Sequence, residues 1–146
     1  MIEKTIENWH KHLRGELPGG LDALLADDVV FYSPIVFTPQ RGAAITKAYL
    51  NAAGNTFGGD DAPVSEAKPG GQSQGSFHYV KEVLSGNHAI LEFETTMGGK
   101  YVNGIDMITC NDEGKISEFK VMIRPLQAVN LVHQRMAAML KKMQAI

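Results

Sequence analysis

The hydrophobic and polar positions of the chain follow two periods, one of three to four residues and one of two. From Ile2 onward, Ile6, Trp9 and Leu13 recur at intervals of three and four, which predicts a helix over residues 2–14 with one apolar stripe. Gly15 to Gly20, with Pro18, breaks it. Leu21, Leu24 and Leu25 predict a second, short helix ending near Asp27-Asp28. Val29 to Ser33 is β-branched and aromatic, so it reads as a strand, stopped by Pro34. After a loop with Pro39 and Gly42, residues 43–53 predict a helix whose apolar side is Ile45, Tyr49 and Leu50. Residues 54–75 change character. They are rich in glycine, contain Pro63 and Pro69, and carry Phe57 and Val64 as their large apolar residues, which predicts a flexible loop. That loop is either an indifferent connection or a lid over a pocket mouth.

Beyond it the period shortens to two. Residues 77–84 and 88–97 predict a hairpin around Ser85-Gly86-Asn87, and Gly98-Gly99 turns the chain into a strand from Tyr101 to Cys110. The turn Asn111-Asp112-Glu113-Gly114 leads into a strand over residues 116–124. Four consecutive strands joined by short turns make an antiparallel meander. Pro125 opens a last helix, residues 126–144, with Leu126, Val129, Val132, Met136, Met139, Leu140 and Met143 along one side. Helices gathered on one face of such a sheet give an α+β domain: a strongly curved sheet packed against three N-terminal helices, with an extra C-terminal helix and room for a cavity.

Composition narrows the class. The chain has 146 residues, enough for a single domain over 1–146, and 44% of them are hydrophobic. A net charge of −2 with scattered Lys and Arg argues against a nucleic-acid partner. No apolar run approaches the roughly 20 residues of a membrane span, and the N-terminus lacks a signal peptide's apolar stretch. The single Cys110 excludes an internal disulfide, and the expected location is cytoplasmic.

One residue breaks the pattern. Asp106 shares a face with the apolar Ile108 and Cys110, so its carboxyl is expected inside the cone, where desolvation raises its pKa. Neutral, it would donate a hydrogen bond to a carbonyl; ionised, it would serve as a base. The plain structural alternative is a buried Asp bonded to Trp9 or Tyr49. The same parity turns Phe31, Ser33, Leu91, Phe93, Thr95, Ile108, Phe119, Val121 and Ile123 inward, an apolar pocket suited to a small hydrophobic ligand. Glu92, Glu94, Lys120, Met122 and Arg124 fall on the other face, although Arg124 could instead sit at a pocket rim. His78 is ambiguous: either it and Val80 point inward, or Phe77 and Tyr79 do. His10 and His12 lie two apart on a helix and do not form a metal pair, and His88 and His133 read as surface. Neither a metal nor a cofactor is expected.

Three stretches resemble the NTF2-like superfamily, in its ketosteroid-isomerase and SnoaL-like branch. They are Ala26-Asp27-Asp28-Val29-Val30-Phe31-Tyr32-Ser33-Pro34, Arg41-Gly42-Ala43-Ala44-Ile45, and Ile105-Asp106 through Asn111, Gly114, Lys115 and Ile116. The resemblance spans about residues 2–124. It implies the cystatin-like cone and a homodimer paired through the sheet, where Met107 and Met122 would meet the partner. It also implies a site. Asp106 falls on the protonated oxyanion-hole acid, an acid kept neutral by an apolar environment. The base aspartate falls on Ser33, the helix-1 tyrosine near Trp9, and a supporting tyrosine on Leu50, beside Tyr49. These departures count against steroid isomerisation itself. Two functions remain. One is a cofactor-independent isomerase, cyclase or hydratase-like enzyme acting on a small hydrophobic carbonyl compound through Asp106, with Trp9, Ser33, Tyr49, Leu50, His78, Phe93, Phe119, Val121 and Ile123 around the ligand. The other is a non-catalytic ligand-binding or dimerisation module of the same fold.

Overall fold

The computed structural model describes residues 1–56 and 77–144. Its elements run α1 (Ile2–Leu13), α2 (Gly20–Leu24), β1 (Leu25–Tyr32), β2 (Gln40–Arg41), α3 (Ala43–Thr56), β3 (His78–Ser85), β4 (His88–Met97), β5 (Lys100–Cys110), β6 (Ile116–Arg124) and α4 (Leu126–Gln144). The strands form one sheet in the order β2-β1-β6-β5-β4-β3. Each pair is antiparallel except β1 with β6, which run parallel. The sheet is curved and unclosed, and the α+β cone expected from the meander is the fold observed.

The two-residue period decides which face is dry. On β4, Ala89, Leu91, Phe93, Thr95 and Met97 are buried; on β5, Val102, Ile108 and Cys110; on β6, Ile116, Phe119 and Val121. Helix α1 lays Ile2, Ile6 and Trp9 against β3, β4 and β5. The buried Thr5 on that stripe is satisfied by donating its hydroxyl to the Gly114 carbonyl at 2.9 Å, which ties the helix to the β5–β6 turn. The turn is itself organised by Asn111, whose Oδ1 accepts from the backbone N–H groups of Glu113 (2.9 Å) and Lys115 (3.0 Å). Gly114 takes the left-handed conformation there, φ 78°, which L side chains resist.

Gly104 has a different reason to lack a side chain. It pairs with Phe93 on one side and Ile123 on the other. A Cβ there would stand 2.5 Å from the Met122 carbonyl oxygen and 2.6 Å from the Phe93 ring. The missing side chain is the space into which Phe93 packs, two residues from Asp106.

The structure corrects the boundaries in places. The second helix ends at Leu24 instead of near Asp27-Asp28, and the strand begins at Leu25, four residues earlier than Val29. Leu25 and Ala26 are buried, and Leu25 pairs with Ile116 before the register shifts ahead of Val30. Tertiary pairing overrides the helical spacing of Leu21, Leu24 and Leu25. The two-residue strand β2 is too short to leave a pattern. On α3, Ile45 is exposed and Thr46 is fully buried in its place, while Tyr49 is half-buried. On α4, Leu126 is 73% exposed, and the buried side starts at Ala128 and Val132. The loop expected over 54–75 starts inside α3, which continues to Thr56; residues 57–75, and the lid reading with them, lie outside the described residues. Among the described residues no helix is long and apolar enough to cross a membrane.

Candidate functional site

A cavity of about 710 Å³ lies between the sheet and helices α1, α3 and α4. Its walls are mainly apolar, with Phe31, Leu50, Phe93, Phe119, Val121 and Met136 prominent. Asp106 enters it from the middle of β5, paired with Leu91 and Val121 on its two sides. The carboxyl is buried.

Its neighbour is Tyr79. The β3 strand pairs Tyr79 with Phe93, which turns the phenol inward and leaves His78 outside. Tyr79 Oη donates to Asp106 Oδ2 at 2.6 Å, and Trp9 Nε1 donates to Tyr79 Oη at 3.0 Å. Three elements distant in sequence (α1, β3 and β5) thus meet in one chain of hydrogen bonds whose donors all point toward the carboxyl. Among the described residues, Oδ1 has no hydrogen-bond partner, and it belongs to a residue that lines the cavity. The Tyr79 ring is held edge-on to Phe77 (5.3 Å), Phe93 (6.4 Å) and His10 (5.6 Å).

The electrostatics follow from burial. Loss of hydration pushes the Asp106 carboxyl up from 3.8 to about 7, and the Tyr79 hydrogen bond, which favours the ionised form, opposes that rise. Tyr79 itself is held well above its ordinary value, by burial first and by the Asp106 carboxylate second, so it remains a donor. An acid placed this way changes protonation near neutrality, the range in which a proton shuttle works best.

The other expected site residues sort into three groups. Trp9, Ser33, Tyr49, Leu50, Phe93, Phe119 and Val121 all line the cavity. Tyr49 stacks on Phe31 at 5.1 Å and does not bond to Asp106; Trp9 reaches the acid only through Tyr79. Ser33 Oγ accepts from the N–H groups of Ile35 (2.9 Å) and Val36 (3.2 Å), so its first task is to hold the loop after β1. His78 touches the cavity margin, but its side chain is exposed and lies 3.7 Å from Glu94. Ile123 is half-buried in the core without lining the cavity, because it sits beside Gly104, farther along β6 than the pocket. Arg124 is not at the rim: its Nε donates to Asn103 Oδ1 at 2.8 Å, and Asn103 donates in turn to Glu92 at 3.0 Å, on the outer face.

Among the lining residues outside the expected set, three carry titratable side chains. Tyr79 was one of two open parities, and the inward Phe77–Tyr79 choice was the signal that could have found it. His12 lines the cavity beside Trp9, half-buried and lowered in pKa by burial. His133 lines it from α4 although its side chain reads as exposed. Among the described residues, no group of three His, Cys, Asp or Glu side chains converges to hold a metal ion.

No family model matches the chain, and no curated protein matches its sequence. Solved structures do. A steroid delta-isomerase from Pseudomonas aeruginosa is 29% identical, with a TM-score of 0.82 over 99% of this chain and 95% of that one. A protein with a cystatin-like fold from Silicibacter pomeroyi, also 29% identical, has a TM-score of 0.72 over 92% of this chain and 83% of that one. An NTF2-like protein of unknown function from Mesorhizobium loti shares the fold at 15% identity, with a TM-score of 0.64 over 85% and 91% of the two chains. By its cone, its strand order and these likenesses, the chain has the NTF2-like fold.

Proposed function

We propose that the protein is a cofactor-independent enzyme of isomerase-like chemistry. It binds a small hydrophobic carbonyl compound in the apolar cavity and moves a proton with Asp106. The observation that carries this reading is the Asp106 carboxyl itself: buried in an apolar cavity, poised near pH 7, and with Oδ1 unengaged among the described residues. As a carboxylate it takes the proton from the carbon beside the carbonyl; as the resulting acid it returns that proton to the same or a neighbouring carbon. The likeness to a steroid delta-isomerase supports the reaction class. A substrate different in kind is supported by the resemblance, which places Ser33, Trp9 and Leu50 where that branch has its base aspartate and two tyrosines.

The experiment is deuterium exchange at the α-carbon of 2-tetralone in D2O, followed by proton NMR. The wild-type protein should accelerate exchange, and Asp106→Asn should lose that acceleration by about 10²–10⁴-fold, the usual contribution of a positioned acid–base group. Saturable quenching of Trp9, the single tryptophan, with no accelerated exchange would favour the second reading, a non-catalytic ligand-binding protein. That reading is supported by Ser33, which stands where a base would and is already bonded to the backbone.

We also propose that the outer face of the sheet pairs two copies of the chain. Ile90 and Met122 are exposed there, Met107 pairs with Ile90 across β4 and β5, and charged Glu92, Glu94 and Lys120 surround them.

A further inference from the structure

We propose that Tyr79 is a positioning residue for Asp106: by occupying Oδ2 it makes Oδ1 the one carboxyl oxygen offered to the ligand, so the site selects hydrophobic ligands that present a single hydroxyl, as a phenol or an enol does. The inference rests on the ligand-binding reading above and adds the atom, the residue that selects it and the chemical class.

The geometry carries it. A carboxyl free to turn about its last torsion would offer either oxygen. Here Tyr79 holds Oδ2 at 2.6 Å, and Trp9 fills one lone pair of the phenol oxygen at 3.0 Å, which fixes the direction of the phenol hydrogen. The ring cannot swing away, since Phe77, Phe93 and His10 enclose it. The Tyr79 donor favours the ionised form of the carboxyl, the form present above about pH 7, and in it Oδ1 is an acceptor. The complementary ligand group is therefore an O–H, and an enol is what a carbonyl compound becomes after losing an α-proton and gaining one on oxygen. The surrounding wall gives the ligand's body an apolar surface and little competition for that hydrogen bond.

Other titratable groups face the cavity from several elements: His12 on α1, Tyr49 on α3, His78 on β3 and His133 on α4. Neither His12 nor His133 is hydrogen-bonded to the acid, and Tyr49 is stacked on Phe31. Behind Tyr79, His10 pairs with Glu82 at the edge of the sheet. From β1 and the loop after it, β4 and β6, the residues Phe31, Ser33, Phe93, Phe119 and Val121 line the cavity, and none of them titrates.

Two measurements test the proposal. The first needs no ligand: the carbon-13 chemical shift of the Asp106 carboxyl is followed against pH in the wild type, Tyr79→Phe and Trp9→Phe. Tyr79→Phe keeps the ring and removes the donor, so the midpoint should move upward, and Trp9→Phe should move it upward by less. A folded Tyr79→Phe protein with an unmoved or lowered midpoint overturns the positioning role, which a merely structural tyrosine would not show. The second compares 4-ethylphenol with 4-ethylanisole by calorimetry at pH 8.5. The wild type should prefer the phenol by about tenfold or more, the scale of a hydrogen bond to a charged group. The preference should vanish in Asp106→Leu and weaken in Tyr79→Phe. Equal binding of phenol and ether overturns the ligand class. If neither compound binds, the ligand-binding reading fails, and the carboxyl midpoint still decides the role of Tyr79.

Discussion

At the scale of single residues, the cost of keeping Asp106 is set by its burial. In the unfolded chain the carboxyl ionises near its ordinary 3.8; in the folded protein it holds its proton to about 7. Below the lower value both states are protonated and the group contributes no pH dependence. Between the two the folded state binds more protons than the unfolded state, so stability falls as pH rises. Above the upper value the loss is complete, and the displacement corresponds to about 4 kcal/mol. Asp106→Asn removes this dependence while leaving an oxygen for the Tyr79 hydroxyl. Urea unfolding should show the variant more stable than wild type at pH 8, by about 2 kcal/mol after the weaker hydrogen bond is allowed for, and nearly level with it at pH 4. A wild-type protein whose stability is flat between pH 4 and 7 would mean that the carboxyl is hydrated. A residue that costs stability at neutral pH and lines a cavity fits a functional site better than a structural one.

At the scale of elements, the site depends on how β5 meets its neighbours. Gly104 lets the Phe93 ring lie against the strand, and Phe93 in turn supports Phe77 and Tyr79, with Phe77 stacked on it at 5.1 Å. Gly104→Ala would press a methyl group against the Met122 carbonyl and the Phe93 ring, and neither the backbone carbonyl nor a fully buried ring can retreat far. Overpacking of this kind costs about 1–3 kcal/mol. Thermal unfolding should detect that loss, and the Asp106 midpoint should move as Tyr79 is displaced. Wild-type stability in Gly104→Ala would show that β5 and β6 separate easily. The C-terminal helix contributes at this scale as well. Val132, Met136 and Leu140 complete the cavity wall from α4, so this helix is part of the pocket as well as a cover for the sheet end.

At the scale of the whole molecule, the two faces of the sheet have separate tasks. The inner face encloses the cavity, and the outer face carries Ile90 and Met122 in the open. A dimer through that face would bury them and leave both cavities accessible on opposite sides. Light scattering coupled to size-exclusion should give twice the mass of one chain at micromolar concentration, and Met122→Glu should return the monomer without altering the Asp106 titration. A wild-type monomer at high concentration would remove the proposal.

Much of this could be read from residue order. The apolar stripe of α1, the four alternating strands and the turns at Gly86, Gly98-Gly99 and Gly114 are local, because backbone geometry and burial impose periods of 3.6 and two on the sequence. Asp106 was visible for the same reason, as a charged residue in phase with Ile108 and Cys110. The start of β1 at Leu25 was not legible, since it depends on a partner, Ile116, distant in sequence. Nor was the partner of the acid. Trp9, Tyr79 and Asp106 meet only because α1 crosses the sheet where β3 and β5 flank β4, and a register step between Tyr79 and Lys81 interrupts the alternation that would have settled which way Tyr79 points. The sequence by itself determined the longer helices and strands, the inward face of the sheet and the place of Asp106 on it, all consequences of periodicity. Tertiary structure alone decided which side chains reach that acid, because a hydrogen bond at 2.6 Å depends on how strands and a helix far apart in the chain are packed.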